Sequence, residues 1–144
     1  MLTKTAEYAL RIVVFLAGND NSVRTRRAVA TATGVPLAYL TKVFSSLEGA
    51  GLVMTKRGPG GGYQLAAAPE SISTYDVITA VSELPRVQDC PLGISSHVRL
   101  CPLHARLDEV AKLTEEAYRQ TSIAELLPQP RSTGCIFPRL EIQD

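Results

Sequence analysis

Tryptophan is absent from this 144-residue chain, aromatic residues make up only 6% of it, and two histidines and three cysteines are its soft donors. A core built from it has to be mostly aliphatic. Hydrophobic residues at 45% and charged residues at 20% are those of an ordinary globular module. No apolar run approaches the roughly 18 residues a membrane span requires. The stretch Ile12–Ala17 is short for a signal peptide and is preceded by Glu7 and Arg11, so a cytoplasmic chain is expected. Three cysteines, an odd number, argue against a disulfide framework in that setting. Also missing are a glycine loop followed by Lys-Ser or Lys-Thr and a nucleophile–base pair at useful spacing. An enzyme is therefore not expected.

The net charge of +1 conceals an asymmetry. Up to Tyr63 the cations are Lys4, Arg11, Arg24, Arg26, Arg27, Lys42, Lys56 and Arg57, opposed only by Glu7, Asp20 and Glu48. The first part thus carries an excess of about five positive charges and the remainder about four negative ones. A polyanion-binding module joined to something else has this balance. Random scatter of charge would also produce it.

Periodicity places the elements. Ala6, Ala9, Leu10, Val13 and Leu16 lie at helical spacing within Lys4–Ala17, and Asn19-Asp20-Asn21-Ser22 ends that helix. Thr25 suits an N-cap for a short helix through about Thr33, which Gly34 stops. Pro36 suits the first turn of a third helix, on which Leu40, Val43, Phe44 and Leu47 form one face. Its other face carries Ala38, Tyr39, Thr41, Lys42, Ser45 and Ser46. Leu52–Lys56 and Tyr63–Ala66, around Arg57-Gly58-Pro59-Gly60-Gly61-Gly62, read as a hairpin. A helix over Thr74–Leu84, an aperiodic stretch Pro85–Leu100, a long helix over Pro102–Gln120 and a short one over Ser122–Leu127 follow. The expected architecture is mostly α with a small β-hairpin wing: a winged helix-turn-helix over 1–84, a cysteine-containing loop over 85–101, a dimerisation helix with its short successor over 102–127, and a flexible tail over 128–144.

Helix, glycine turn, helix with a small and basic outer face, then hairpin is a plan for reading duplex DNA. Tyr39, Thr41 and Lys42 lie toward the start of the reading helix, where base contacts are usually made. Gly60 and Gly61 allow close approach of the hairpin tip to phosphate, and Arg57 at its base suits the minor groove. A merely solvated helix face and a merely tight turn are the plain alternatives. The stretches LTKTAEYALR, TATGVPLAYLTKVFSSLEGAGLV and KRGPGGGYQLA resemble the Rrf2 family of winged-helix regulators over about residues 1–127. The resemblance implies a homodimer on a palindromic double-stranded DNA operator, probing the minor groove with Arg57 and reading bases with Thr41 and Lys42. It implies pairing through Pro102–Gln120 and a sensor in the Cys90–Cys101 loop.

Family members that hold an iron–sulphur cluster usually have three loop cysteines, and this chain departs from that. CPLGISSHVRLCPLH offers Cys90, His97, Cys101 and His104. Two thiolates cannot complete a four-ligand site, and the missing donors are sought in His97, His104 or a residue from elsewhere in the chain. Glu7 aligns with a carboxylate that some members contribute from the partner subunit. A [2Fe-2S] centre on Cys90, Cys101, a histidine and Glu7 is one reading. The others are buried structural thiols, a metal-free thiol–disulfide switch, a tetrahedral zinc site, and haem at Cys90-Pro91 or Cys101-Pro102. Cys135, in the tail, reads as a free thiol.

Overall fold

The computed structural model describes residues 2–20, 22–86 and 101–128. Among the described residues, five helices and a two-stranded antiparallel sheet run in the order α1 (Lys4–Ala17), α2 (Arg26–Thr33), α3 (Leu37–Gly49), β1 (Val53–Lys56), β2 (Gly62–Leu65), α4 (Thr74–Val81) and α5 (Pro102–Gln120). Short 3-10 turns occupy Pro69–Ser71 and Ala124–Leu126. The mostly helical fold with a β-hairpin wing is the one its sequence implies.

Local chemistry sets most of the boundaries. The Thr3 and Thr25 hydroxyls accept from the Ala6 and Ala28 amides at 3.2 Å, satisfying donors that α1 and α2 leave unpaired. Gly34 closes α2 in the left-handed region at φ 66°, where a side chain is strained. Pro36 is the residue before α3 rather than part of its first turn, and its carbonyl accepts from the Tyr39 and Leu40 amides. A capping box between Ser73 and Asp76 starts α4.

Two expected helices are shorter. The periodic stretch Thr74–Leu84 is helical only to Val81, because Ser82 is extended while its amide bonds the Ile78 carbonyl. Leu84 also precedes Pro85, which disfavours helical backbone. Ser122–Leu127 shrinks to the 3-10 turn, since Ile123 enters the core and its amide pairs with the Ile72 carbonyl at 2.8 Å.

The core gathers Ala9, Ile12 and Leu16 of α1, Val29 of α2, Leu40, Val43, Phe44 and Leu47 of α3, Val53 and Leu65 of the sheet, and Val77 of α4. Phe44 stacks on Tyr63, with ring centroids 3.6 Å apart and planes 5° from parallel. That stack joins α3 to the hairpin, and such pairs are worth about 0.5–1.5 kcal/mol beyond their burial. Ile123, from beyond α5, is completely buried in the same core. The chain therefore leaves the head for α5 and returns to it. Thr74 ties the two ends, its hydroxyl donating to the Tyr118 carbonyl and its amide to the Thr121 carbonyl, both at 2.8 Å.

Candidate nucleic-acid interface and sensor end

The amphipathic pattern of α3 decides what the head can touch. Leu40, Val43, Phe44 and Leu47 are turned inward, which leaves Leu37, Ala38, Tyr39, Thr41, Lys42 and Ser45 exposed along the opposite face, with Ser46 half-buried at its edge. From Thr41 to Ser45 that face is free of bulky apolar side chains, as entry into a major groove requires. Tyr39 leans edge-on against Tyr8 of α1 with centroids 5.6 Å apart, and Lys4 sits 5.5 Å above the Tyr8 ring.

Register Val53↔Leu65 through Lys56↔Gly62 projects the tip Arg57–Gly61 beyond the sheet. The Gly61 amide closes the tip on the Gly58 carbonyl at 2.9 Å. Arg57 is exposed at its base and Gly60 lies open, with nothing within 4 Å of a Cβ built there. Gly61 has a different reason to be glycine. A Cβ on it would fall against the Lys56 and Gly58 carbonyl oxygens. Gly62 is equally constrained, by the Arg24 carbonyl. Arg24 and Tyr63 exchange backbone hydrogen bonds at 2.8 and 2.9 Å, so the segment before α2 acts as a stub of third strand. No periodic signal marks a single bridging residue, and sequence reasoning missed it.

A second missed residue is Arg26. From the first position of α2 its Nη1 donates to the Thr41 hydroxyl at 3.1 Å. The available signal was the pair Arg26-Arg27 at a helix N-terminus, where the macrodipole opposes cations. Arg26, Arg27, Lys42, Lys56 and Arg57 are all exposed, and none forms an ion pair among the described residues.

The other end of the molecule is built differently. Of the 19 residues of α5 only His104 is buried, at 3% exposed. Leu103, Leu107, Val110 and Leu113 are between 41% and 66% exposed, an apolar stripe along the helix. Cys101 stands at the N-cap, half-buried, with Sγ 3.3 Å from His104 Nδ1. The structure thus joins two of the sequence-derived donors, while Cys90 and His97 lie outside the described residues. Glu7, half-buried on α1, is held by Lys4 at 2.9 Å. The hydrogen bond and charge of Lys4 keep its carboxyl below the usual carboxylate range. Among the described residues no three His, Cys, Asp or Glu side chains assemble into a metal site. No helix there is long and apolar enough to cross a membrane.

The family model described as "Iron-dependent Transcriptional regulator", Rrf2, matches residues 2–129. This chain belongs to the Rrf2 family. Like its Rrf2 relatives it is a DNA-binding transcriptional regulator rather than an enzyme. The HTH-type transcriptional regulator IscR of Erwinia tasmaniensis is 31% identical over 129 residues, covering 88% of this chain and 78% of its own. In fold the Rrf2 chain is similar to T. potens IscR, with a TM-score of 0.72 at 23% identity, covering 88% of this chain and 85% of that one. CymR, the global cysteine regulator of B. subtilis, gives 0.69 at 23% identity, with 88% and 95% covered.

Proposed function

We propose that this regulator is a homodimeric repressor whose affinity for a palindromic operator follows a redox or iron signal received at the start of α5. The contact between Cys101 and His104 carries the reading. A tetrahedral ion with sulphur at about 2.3 Å and nitrogen at about 2.0 Å sets those donors about 3.5 Å apart. The 3.3 Å separation fits two ligand positions of one metal ion with little rearrangement. Cys90 and Glu7 of the partner subunit would complete the set, with His97 as the alternative histidine. A [2Fe-2S] centre so held supplies one-electron redox chemistry, at a potential raised by histidine ligation.

The rest is done by the protein. Reading a palindrome requires two recognition helices related by a dyad, and the apolar stripe of α5 supports that pairing. The sensor pair stands at the N-terminus of the same helix, whose C-terminal end is bonded to α4 through Thr74. A change in what Cys101 and His104 hold would re-aim α5 against the head and shift the dimer between reading and non-reading arrangements. For Glu7 to serve the partner's site, Lys4 would have to release it.

A second reading, control by thiol oxidation, by zinc or by a partner protein without a cluster, is favoured by one observation. Only two soft donors come together among the described residues. An absorption spectrum of protein purified without air separates the two. Broad visible absorbance that disappears in Cys101→Ala and changes in His104→Ala, His97→Ala or Glu7→Ala supports the cluster. A colourless protein that takes up no iron on anaerobic reconstitution leaves thiol or zinc control.

A further inference from the structure

We propose that Arg26 is a specificity-determining residue: acting through Thr41, it dictates which base edges the recognition helix accepts. The inference rests on the DNA-reading role of α3 and adds a residue from α2 to it. Arg26 Nη1 donates to Thr41 Oγ1 at 3.1 Å, across 15 positions of sequence and between two helices. Guanidinium has donors and no acceptor, whereas a threonine hydroxyl has one donor and two lone pairs. The contact therefore occupies a lone pair of Thr41 and polarises its O–H, making it a better donor to the next group in the chain.

This matters because a threonine left to itself pairs with either kind of base edge. Held by Arg26, the exposed Thr41 hydroxyl presents its hydrogen outward. Guanine N7 and O6, adenine N7 and thymine O4 accept from it, while the cytosine N4 amino group is itself a donor. Guanine, adenine or thymine is then preferred opposite Thr41, and cytosine, which can use only the remaining lone pair, is disfavoured.

The position of Arg26 supports a purpose beyond folding. It is exposed in the first turn of α2, where the helix dipole opposes a cation and no acidic residue compensates. Arg26 is exposed and lies outside the buried core, and its side chain donates to the reading helix. On a duplex the rival partner is a phosphate oxygen. If Arg26 moved to the backbone, it would add affinity without selecting bases.

The two outcomes differ in a selection from a randomised duplex library, with affinities measured at two salt concentrations. The chains compared are the unsubstituted protein, Arg26→Met, Thr41→Val and the double variant. Both positions are exposed, and thermal melts matching the parent establish that each variant folds. In the parent one symmetric pair of positions should disfavour cytosine. Arg26→Met should admit it, with preference there falling about three- to tenfold, the worth of one hydrogen bond. Preferences at the other operator positions should stay as they were. Thr41→Val should relax the same position, and adding Arg26→Met to it should change nothing further. The proposal is overturned if Arg26→Met weakens binding to all sequences alike, lowers the salt dependence by about one ion and leaves base preferences intact. A parent protein that selects no sequence at all overturns the DNA-reading function itself, a result distinguishable from failure at Arg26 alone.

Discussion

Arg26, Arg27, Lys42, Lys56 and Arg57 of the head stand exposed and form no ion pair among the described residues, whereas Arg86, Arg106, Lys112 and Arg119, beside or on α5, each lie within 3.6 Å of a carboxylate. The same two regions differ in the opposite sense in their apolar residues. The head buries Leu40, Val43, Phe44 and Leu47 of α3, and α5 leaves Leu103, Leu107, Val110 and Leu113 in the open. Unpaired cations keep their field for a polyanion and release its counterions on contact. Paired charges beside an apolar stripe leave that stripe free to be covered without drawing in nucleic acid. Exposed pairs of this kind add little stability, about 0–1 kcal/mol each, so local neutralisation is their main consequence.

Breaking the apolar side of this contrast should have the largest effect. Leu107→Asp with Val110→Asp places two carboxylates in the stripe, and sedimentation should then find a monomer that has lost operator binding. A double variant that still sediments as a dimer would move the interface elsewhere. Next comes Phe44→Ala, which empties the stack on Tyr63 and should cost about 3–5 kcal/mol in chemical denaturation. A cost under about 1 kcal/mol would mean that the wing is not braced by that ring. Lys42→Ala and Arg57→Ala should each weaken specific binding by about 1–3 kcal/mol if they reach base edges. Wild-type affinities for operator and random DNA in both variants would remove these residues from the interface.

The smallest effect concerns pH and the paired side. Lys112 first, and then Arg86, hold the Asp108 carboxyl below its ordinary value, although partial burial opposes them. The folded chain thus binds that proton less readily than the unfolded one. Its contribution is present above the ordinary aspartate value of about 3.9 and is lost as pH falls through the lower folded value. Melting temperatures at pH 6 and pH 3 should therefore differ less in Asp108→Asn than in the parent. Equal differences would show that the network adds nothing measurable.

Much of the candidate interface was legible because its signals are local. The face Tyr39-Thr41-Lys42 follows from the spacing of Leu40, Val43, Phe44 and Leu47, and the wing from the run Gly58–Gly62. Cys101 and His104, three residues apart at a helix start, come together through the geometry of one turn. The contact of Arg26 with Thr41 was not legible, because it depends on the angle between two helices.

By itself the sequence determined the α1–α3 order, the hairpin, α5 and its apolar stripe, since periodicity, caps and glycines act over a few residues. Only the tertiary structure decided that Arg24 pairs with Tyr63, that Gly62 has no room for a Cβ and that α4 stops at Val81. It alone decided that Ile123 re-enters the core while His104 is the one buried residue of α5. Each of these rests on groups distant along the chain competing for the same space or hydrogen bond. No window of neighbouring residues contains that competition.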